Sequence, residues 1–504
     1  MSVRGRFARG AALLLGGKFV GQACTFVRMI IVARLLGEEQ MGLAAVFTLT
    51  ILFLESISTV GADKILVQAS DGDSERFQRV AHSVQLIRGL VIGALIAIAA
   101  QPLAGLFGQP ETAWAFYFVA CVPVVRGLQH LDYKRLQREM SYKADTIVET
   151  VTQLVLVAAA YPLASLIGDY RTVVILLIGS TLVRTLVTHL VAKRRFGFGW
   201  DGELAGRMMG FGWPLMVNGL LMFAILQGDA FLIGTMPQIS GAAYSDADLG
   251  SYTVAVNFAM APTAALAAIS SKLLLSLLSR AQDDPPAFRR RYLLCVEGLS
   301  AAGVLLVLLF VVGGPTLVPL LYGAGYTAAA SVIPLIGAMQ ALRAVRVAPT
   351  LAAMSKGDTK MLMHANLVRV SGFVVAGLFA FRGDPITWIA AAGLGAEFAA
   401  NLFCCVALRK HGLAVLMTLR PTMVLVAAGV AGAAAAAGLG SWSWSPMPSA
   451  GMTAAAMAAS IPLMLLMLPA FRRELLSGGR MLHGAIESRR GRAAGMDPGE
   501  VGPA

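Results

Sequence analysis

The chain has 504 residues, of which 57% are hydrophobic and only 14% charged, and its mean hydropathy is +0.71. A soluble domain carries about 25% charged residues, so soluble fold classes are excluded. Lys and Arg number 41 against 28 Asp and Glu, a formal net charge of +13. Most of these cations lie between long apolar runs, which reads as membrane topology and not as a nucleic-acid patch.

A hydrocarbon core of about 30 Å takes roughly 20 mostly apolar residues per helix, with every backbone group satisfied inside the segment. Applied along the chain, this predicts an all-α, polytopic membrane protein of about 14 transmembrane helices. The predicted spans are 11–35, 41–61, 82–107, 112–131, 146–168, 172–192, 208–235, 250–275, 292–322, 328–350, 361–381, 386–408, 421–440 and 449–470. The first span is interrupted by Lys18, Gln22 and Arg28 and is read as a retained helix, not a cleaved signal peptide. Cys24, Cys121, Cys295, Cys404 and Cys405 lie in or beside apolar segments without metal spacing, so neither disulfides, zinc nor any cofactor is expected. The stretch from Ser477 to Ala504 is rich in Gly and Arg, lacks an apolar period and is expected to be a disordered tail.

Cationic residues fall in alternate loops: Arg4, Arg6 and Arg9; Arg76 and Arg79; Lys134, Arg135, Arg138 and Lys143; Lys193, Arg194 and Arg195; Arg289, Arg290 and Arg291; Lys356 and Lys360; Arg409 and Lys410. The intervening loops carry acids such as Glu38, Glu39, Glu111, Asp246 and Asp248. Lys and Arg are retained on the cytoplasmic side, so both termini are expected there. The outward loops are short, the longest at about 236–249. None holds a domain of the size that a sugar polymerase or ligase needs.

The chain also repeats itself at about two hundred residues, a period on which many transporters are built. Phe77-Gln-Arg79 recurs as Phe288-Arg-Arg290, and Leu106-Phe-Gly108 as Leu321-Tyr-Gly323. Pro123 and Gln129 match Pro334 and Gln340, and Met140 to Thr146 matches Met354 to Thr359. The expected organisation is an N-terminal six-helix lobe over 1–200, a C-terminal six-helix lobe over 201–410, and a central cleft between them. Two additional helices over 411–475 and a cytoplasmic tail over 476–504 follow.

An ionised side chain at membrane depth costs at least about 2.5–3.5 kcal/mol, so it normally faces water, a partner or a substrate. Lys18, Arg28, Glu55, Arg88, Arg126, Arg184, Asp229, Glu297, Arg343, Arg346, Arg369 and Glu397 all fall inside predicted spans. Cations outnumber acids, so a cleft among them attracts an anion, and guanidinium forks suit phosphate. Arg126, Arg343 and Arg346 lie near helix ends and are read as snorkelling into headgroups. Arg88, Arg184 and Arg369 lie deeper, either lining a cavity or pairing with Glu149, Glu297 or Glu397. Lys18 and Arg28 are the leading ligand candidates. Arg28 and Asp229 occupy nearly equivalent positions in the two halves, which predicts that they pair when the outer gate is shut. His189 and His364 are read as structural or interfacial.

The segments Gly16-Gly-Lys-Phe-Val-Gly-Gln22, Arg28-Met-Ile-Ile-Val-Ala-Arg34-Leu-Leu-Gly37 and Gly228-Asp229-Ala-Phe-Leu-Ile-Gly234, together with Gly42 and Gly61, carry a family likeness. Over roughly residues 5–410 the chain resembles the polysaccharide-transporter, or O-antigen flippase, branch of the multidrug/oligosaccharidyl-lipid/polysaccharide exporter superfamily. That resemblance implies a bacterial inner-membrane transporter, not an enzyme. It would move a polyprenyl-diphosphate-linked saccharide to the outer leaflet by alternating access, for exopolysaccharide, capsule or O-antigen synthesis. The implied partners are that substrate, membrane lipids, a polysaccharide polymerase and other export machinery. In related lipid II flippases an arginine equivalent to Arg28 meets the diphosphate, whereas Gln22, Glu55 and Asn257 stand where those proteins have further arginines. This departure argues against a peptidoglycan precursor.

The candidate substrate-binding set is therefore Arg28, Lys18, Gln22, Asn257, Arg88, Arg184 and Arg369, with Asp229, Glu55 and Glu397 as gating or ion-coupling acids. The chain has no Gly-x-x-x-x-Gly-Lys-Ser/Thr loop for nucleotide hydrolysis, so the drive would come from an ion gradient, membrane potential or product consumption. The alternatives are a lipid II flippase, a multidrug exporter, whose cleft would carry net acid, and a membrane-embedded polymerase or ligase.

Overall fold

A computed structural model of the chain describes residues 3–58, 61–139, 141–438 and 446–473. Every regular element among these residues is helical. Helix α1 (Val3–Ser56) is two arms that meet at Gly37, whose φ of 79° and ψ of 173° suit a residue without a Cβ. After the short α2 (Ala62–Gln68), α3 (Glu75–Ile98) and α4 (Ala100–Leu106) form the third predicted span, and α5 (Ala113–Val119) and α6 (Cys121–Gly127) the fourth. Both spans break three residues ahead of a proline, at Ala99 before Pro102 and at Ala120 before Pro123. Proline offers no N–H to the preceding turn, and its ring crowds that turn's carbonyl.

The short α7 (Asp132–Arg138), then α8 (Lys143–Ile167) and α9 (Arg171–Val191), complete the N-terminal half. The C-terminal half comprises α10 (Gly202–Ser240), α11 (Asp246–Ser279), α12 (Pro285–Leu308), α13 (Gly314–Tyr322), α14 (Thr327–Ser355), α15 (Thr359–Arg382) and α16 (Ile386–Ala407). A π-helical turn at Leu309–Gly313 joins α12 to α13 just before Pro315. Then α17 (Val415–Gly438) packs on α12, where the Tyr292 hydroxyl meets Thr418, and α18 (Pro446–Met467) follows.

Eleven helical stretches among the described residues are long and apolar enough to cross a membrane. Two of the differences from the predicted spans are physical: the stretch Gly16–Ser56 carries two arms, and the fourth span is split into 7-residue pieces. The last predicted span, 449–470, falls on Pro446–Met467, whose side chains are described only in part. The tail predicted beyond Ser477 lies outside the described residues.

The bundle has one end that holds the Gly37 turn and another that holds the linker 192–201 between the halves. The halves are drawn together at the Gly37 end. A Cβ on Gly42 would overlap the Asp246 carbonyl, and one on Gly250 the Glu38 carbonyl, so α1 and α11 touch backbone to backbone. Ser251 Oγ donates to Glu38 Oε2 at 2.9 Å, Gln109 Nε2 to Asp246 Oδ2 at 2.7 Å, and the Tyr326 hydroxyl to the Ala33 carbonyl at 2.8 Å. Arg34 Nη1 donates to the Leu320 carbonyl at 3.1 Å. The buried apolar cluster here crosses between halves, from Phe47 and Phe116 to Phe258, Tyr322 and Tyr326. At the linker end the halves meet along one side, where Ser56 packs on Gly219 of α10 and Arg207 forks onto Asp71 with two 2.9 Å bonds.

The linker itself is fastened to the N-terminal half. Fully buried Asp132 accepts from Arg135 Nε at 2.6 Å and from the Lys193 backbone N–H at 2.7 Å. Phe196 packs among His82, His130 and His189. His82 Nε2 accepts from the Leu131 N–H while its Nδ1 faces the Gly197 carbonyl at 3.1 Å. His130 Nδ1 accepts from the Asp132 N–H while its Nε2 faces the Arg194 carbonyl at 2.9 Å. Each ring therefore needs one bare and one protonated nitrogen, which assigns it as neutral with a set tautomer.

Burial alone would raise the Asp132 carboxyl, but the Arg135 guanidinium and the Lys193 N–H more than offset that and hold it below the usual range. Asp132→Ala is expected to cost about 2–4 kcal/mol of stability, read as a lower thermal midpoint in detergent. The wild-type advantage should be complete above about pH 4 and vanish as pH falls through the depressed native value. Gly42→Ala is expected to prise open the Gly37 end. In a background cleared of native cysteines, oxidative cross-linking between cysteines placed at positions 38 and 251 should drop several-fold; an unchanged yield would show that end to be tolerant of a Cβ.

Candidate functional site

Between the halves lies a cavity of about 300 Å³. Its wall is built by both arms of α1, by α9, and by Gln227 of α10 and Thr253 and Asn257 of α11. Most of the lining is aliphatic, from residues such as Met29, Val32, Leu49 and Leu176. Thr25, Thr48, Ser180, Gln227, Thr253 and Asn257 supply polar groups, and Arg28 is the charged side chain among the described lining residues. An apolar chamber with a few convergent polar groups is the usual form of a small-molecule or headgroup site.

Arg28 is held by a polar relay. Its Nη1 donates to Gln153 Oε1 at 3.4 Å, and Thr25 Oγ1 donates to the same oxygen at 3.2 Å. Gln153 Nε2 donates to Glu149 Oε1 at 3.4 Å, and Arg184 Nη1 to Glu149 Oε2 at 2.9 Å. The carboxylate in this chain is thus engaged by Arg184, and Arg28 is oriented by a neutral amide. Its guanidinium keeps its positive charge and part of its donor fork for whatever enters the cavity.

The structure brings Arg28 and Asn257 to the same cavity and distributes the other predicted residues elsewhere. Lys18 and Gln22 are exposed and do not line the cavity. They fall on the helical stripe that runs from the cavity residues Met29 and Thr25 towards the linker end, Lys18 being about 15 Å along the axis from Arg28. Arg88 lies in an apolar groove of about 320 Å³ beside Leu54, Met209 and Met216, with its Nε on Ser58 Oγ at 3.3 Å. Arg184 and Arg369 are in ion pairs, the latter with Glu397 at 2.8 Å. Glu297 instead accepts from the backbone N–H groups of Ala470 and Phe471 at 2.7 and 2.9 Å.

Three expectations change. Arg126 does not simply snorkel, because it pairs with Glu55 across from α6 to α1. Arg343 and Arg346 turn inward onto Glu397 at 3.3 and 2.5 Å, because α16 presents a buried carboxylate to the face of α14 that carries them. Arg28 and Asp229 are not paired although the Gly37 end is closed: Asp229 Oδ2 accepts from the Tyr252 hydroxyl at 2.8 Å, and Arg28 is turned to α8. Sequence reasoning missed Gln153, Gln227 and Tyr252. Gln153 was visible as a lone amide four residues after Glu149 in an apolar helix, but its partner on α1 was not.

A bundle of two helical halves around such a cavity is the fold of known membrane transporters. Lipid II flippase MurJ in an inward closed conformation matches with a TM-score of 0.66 at 15% identity, over 92% of this chain and 99% of that one. An inward-facing multidrug resistance MATE family transporter of the MOP superfamily matches with a TM-score of 0.61 at 13% identity, over 78% and 95%. At the level of sequence, the model of a family described as polysaccharide biosynthesis protein matches residues 31–331, and the chain belongs to that family. Succinoglycan biosynthesis transport protein ExoT of Rhizobium meliloti (strain 1021) is 26% identical over 242 residues, 47% of this chain and 46% of that protein. The match thus spans about half the length of that relative. These relatives are transporters, not enzymes.

Because each of Arg28 and Asp229 already has a partner in its own half, exchanging their charges through Arg28→Asp with Asp229→Arg is expected to restore none of the transport lost in either single variant. Recovery in the double variant, measured in vesicles, would reinstate a direct pairing.

Proposed function

We propose that this chain carries a polyprenyl-diphosphate-linked oligosaccharide from the cytoplasmic to the outer leaflet. It does so by alternating access between two six-helix lobes, residues 1–200 and 201–410, with no covalent step. The observation that carries the reading is Arg28, a guanidinium in a membrane-embedded cavity whose hydrogen-bond partner is a neutral amide. A diphosphate leaving water loses strong solvation, and a charge-assisted guanidinium contact with Asn257 and Thr253 nearby replaces part of it. The aliphatic remainder of the wall suits the apolar parts of the headgroup, while the polyprenyl tail stays in the bilayer.

Orientation follows from charge. The Gly37 end holds Glu38, Glu39, Glu111, Asp246 and Asp248, and the basic loops lie at the linker end, so the linker end with both termini is assigned to the cytoplasm of the inner membrane. The closed Gly37 end then corresponds to an outer gate that is shut. Lys18 and Gln22, on the stripe leading to Arg28, guide the headgroup inward, and Arg184 holds Glu149 so that Gln153 presents its oxygen to Arg28. Of the three candidate coupling acids, Asp229 is the one adjoining the cavity's C-terminal wall at Gln227 and Asn257, whereas Glu55 and Glu397 are tied to arginines. Family membership supports a glycan as cargo, and a membrane polymerase is the natural consumer of the product. A multidrug role is disfavoured, because cationic drugs call for acids and the described cavity wall has none.

Purified protein in vesicles, supplied with a fluorescent polyprenyl-diphosphate sugar, tests this through the rate at which the label becomes inaccessible to an external quencher. Arg28→Ala should slow translocation by about tenfold or more, Arg28→Lys should retain part of it because charge survives without the fork, and Lys18→Ala should have the smaller effect. Equal rates for Arg28→Ala and wild type would dismiss Arg28 as the diphosphate ligand.

A further inference from the structure

A second concentration of charge sits inside the C-terminal half, apart from Arg28. Arg343 and Arg346 of α14 and Arg369 of α15 converge on the single carboxylate of Glu397 on α16. All four lie within membrane-spanning helices. The other acid bordering this cluster is Asp229, occupied by the Tyr252 hydroxyl. Among the described residues three guanidiniums therefore face two carboxylates, and one positive charge is left without a counter-charge in a region where uncompensated charge is costly.

Two small chambers of about 20 Å³ each adjoin the cluster. One is walled by Asp229, Arg343, Arg369 and Glu397, and the other by Asp229, Thr253, Gln340 and Arg343. Each exceeds the volume of one water-sized sphere and is far too small for a sugar or a diphosphate. Gly393 keeps the first chamber open, since a Cβ there would press on Met339 Sδ and Asp229 Oδ2.

The unsatisfied groups in these walls point to one kind of ligand. Arg369 is 8% exposed and its Nη2 has no hydrogen-bond partner among the described residues. Gln340 is 1% exposed and its Nε2 has none either; its orientation is set because its Oε1 accepts from Arg343 Nη1 at 3.2 Å. Both can donate. A chamber with surplus positive charge and spare donors calls for an acceptor that is negative, compact and without a proton of its own.

We propose that the Arg343–Arg369 cluster is a binding site for one monatomic anion of the chloride class, held in the C-terminal half on the chamber walled by Asp229, Arg343, Arg369 and Glu397, which shares no lining residue with the central cavity. The ion accepts from Arg369 Nη2, balances the excess guanidinium and holds α14, α15 and α16 together across Glu397. A neutral water fills the space and the donors but leaves the charge uncompensated.

The test uses the full-length protein in lipid nanodiscs at constant ionic strength, exchanging gluconate for chloride or bromide. Thermal stability should rise saturably with either halide and not with gluconate. Asp229→Asn, which removes a facing negative charge, should tighten the halide response by about tenfold or more, an effect that a merely structural role would not produce. Arg343→Gln should abolish the response, and Arg28→Ala should leave it intact. Crystals of the wild type grown in bromide should show an anomalous peak between Arg343 and Arg369, a readout that needs no variant to fold. Absence of a halide-specific response would overturn the site in favour of water. A response lost in Arg28→Ala and kept in Arg343→Gln would place the ion in the central cavity and overturn it equally.

Discussion

The balance of charge inside a low-dielectric bundle is the constraint on which the rest of this structure depends. A guanidinium at membrane depth persists when a carboxylate, a water-filled chamber or a ligand compensates it. Arg126 has Glu55, Arg184 has Glu149, and Arg346 and Arg369 share Glu397. Each of these pairs ties one helix to another and so helps to set the packing of its half. Where compensation is incomplete, at Arg28 and in the Arg343–Arg369 cluster, a cavity is found beside the charge. The same physics thus separates structural ions from candidate ligands.

The shape of the cavity follows from how the two halves meet. Glycines let α1 and α11 approach backbone to backbone at the Gly37 end, and aromatic side chains from both halves seal the space behind them. Lower down, the first arm of α1 makes its polar contacts with α8 of its own half, so the stripe from Lys18 to Met29 is not consumed by polar contacts to the other half. Closure at one end and separation along that stripe are two results of one arrangement. Small residues permit contact where contact is wanted, and a polar face resists it elsewhere.

Family membership and fold are complementary here. The polysaccharide biosynthesis model covers residues 31–331 and so includes the closed Gly37 end and most of the cavity wall, while the likeness to the MurJ and MATE folds extends over most of the chain at low identity. The fold is shared by a lipid II flippase and by a multidrug resistance transporter. The bundle itself therefore does not fix the cargo, and the proposed reading gives that task to side chains such as Arg28 and Asn257.

Hydropathy alone determined that the chain is a helical membrane protein and that charges inside its spans need an explanation, because a hydrocarbon layer of about 30 Å imposes its length and its polarity on any sequence. The breaks at Ala99 and Ala120 went unread in the sequence, although each lies three residues ahead of a proline, whose effect is local. Arg28 and Asn257 were legible as candidate ligands. What only the tertiary structure decided is which partner each charge takes. Arg343 sits near a helix end by count, yet it turns inward because Glu397 arrives from α16, 54 residues away in sequence. Gln153 became part of the site because α8 packs on α1, and Arg28 and Asp229 went to different partners despite matching positions in the two halves. One-dimensional spacing carries depth and periodicity; the pairing of charges depends on which helix faces meet, and that is settled by packing in three dimensions.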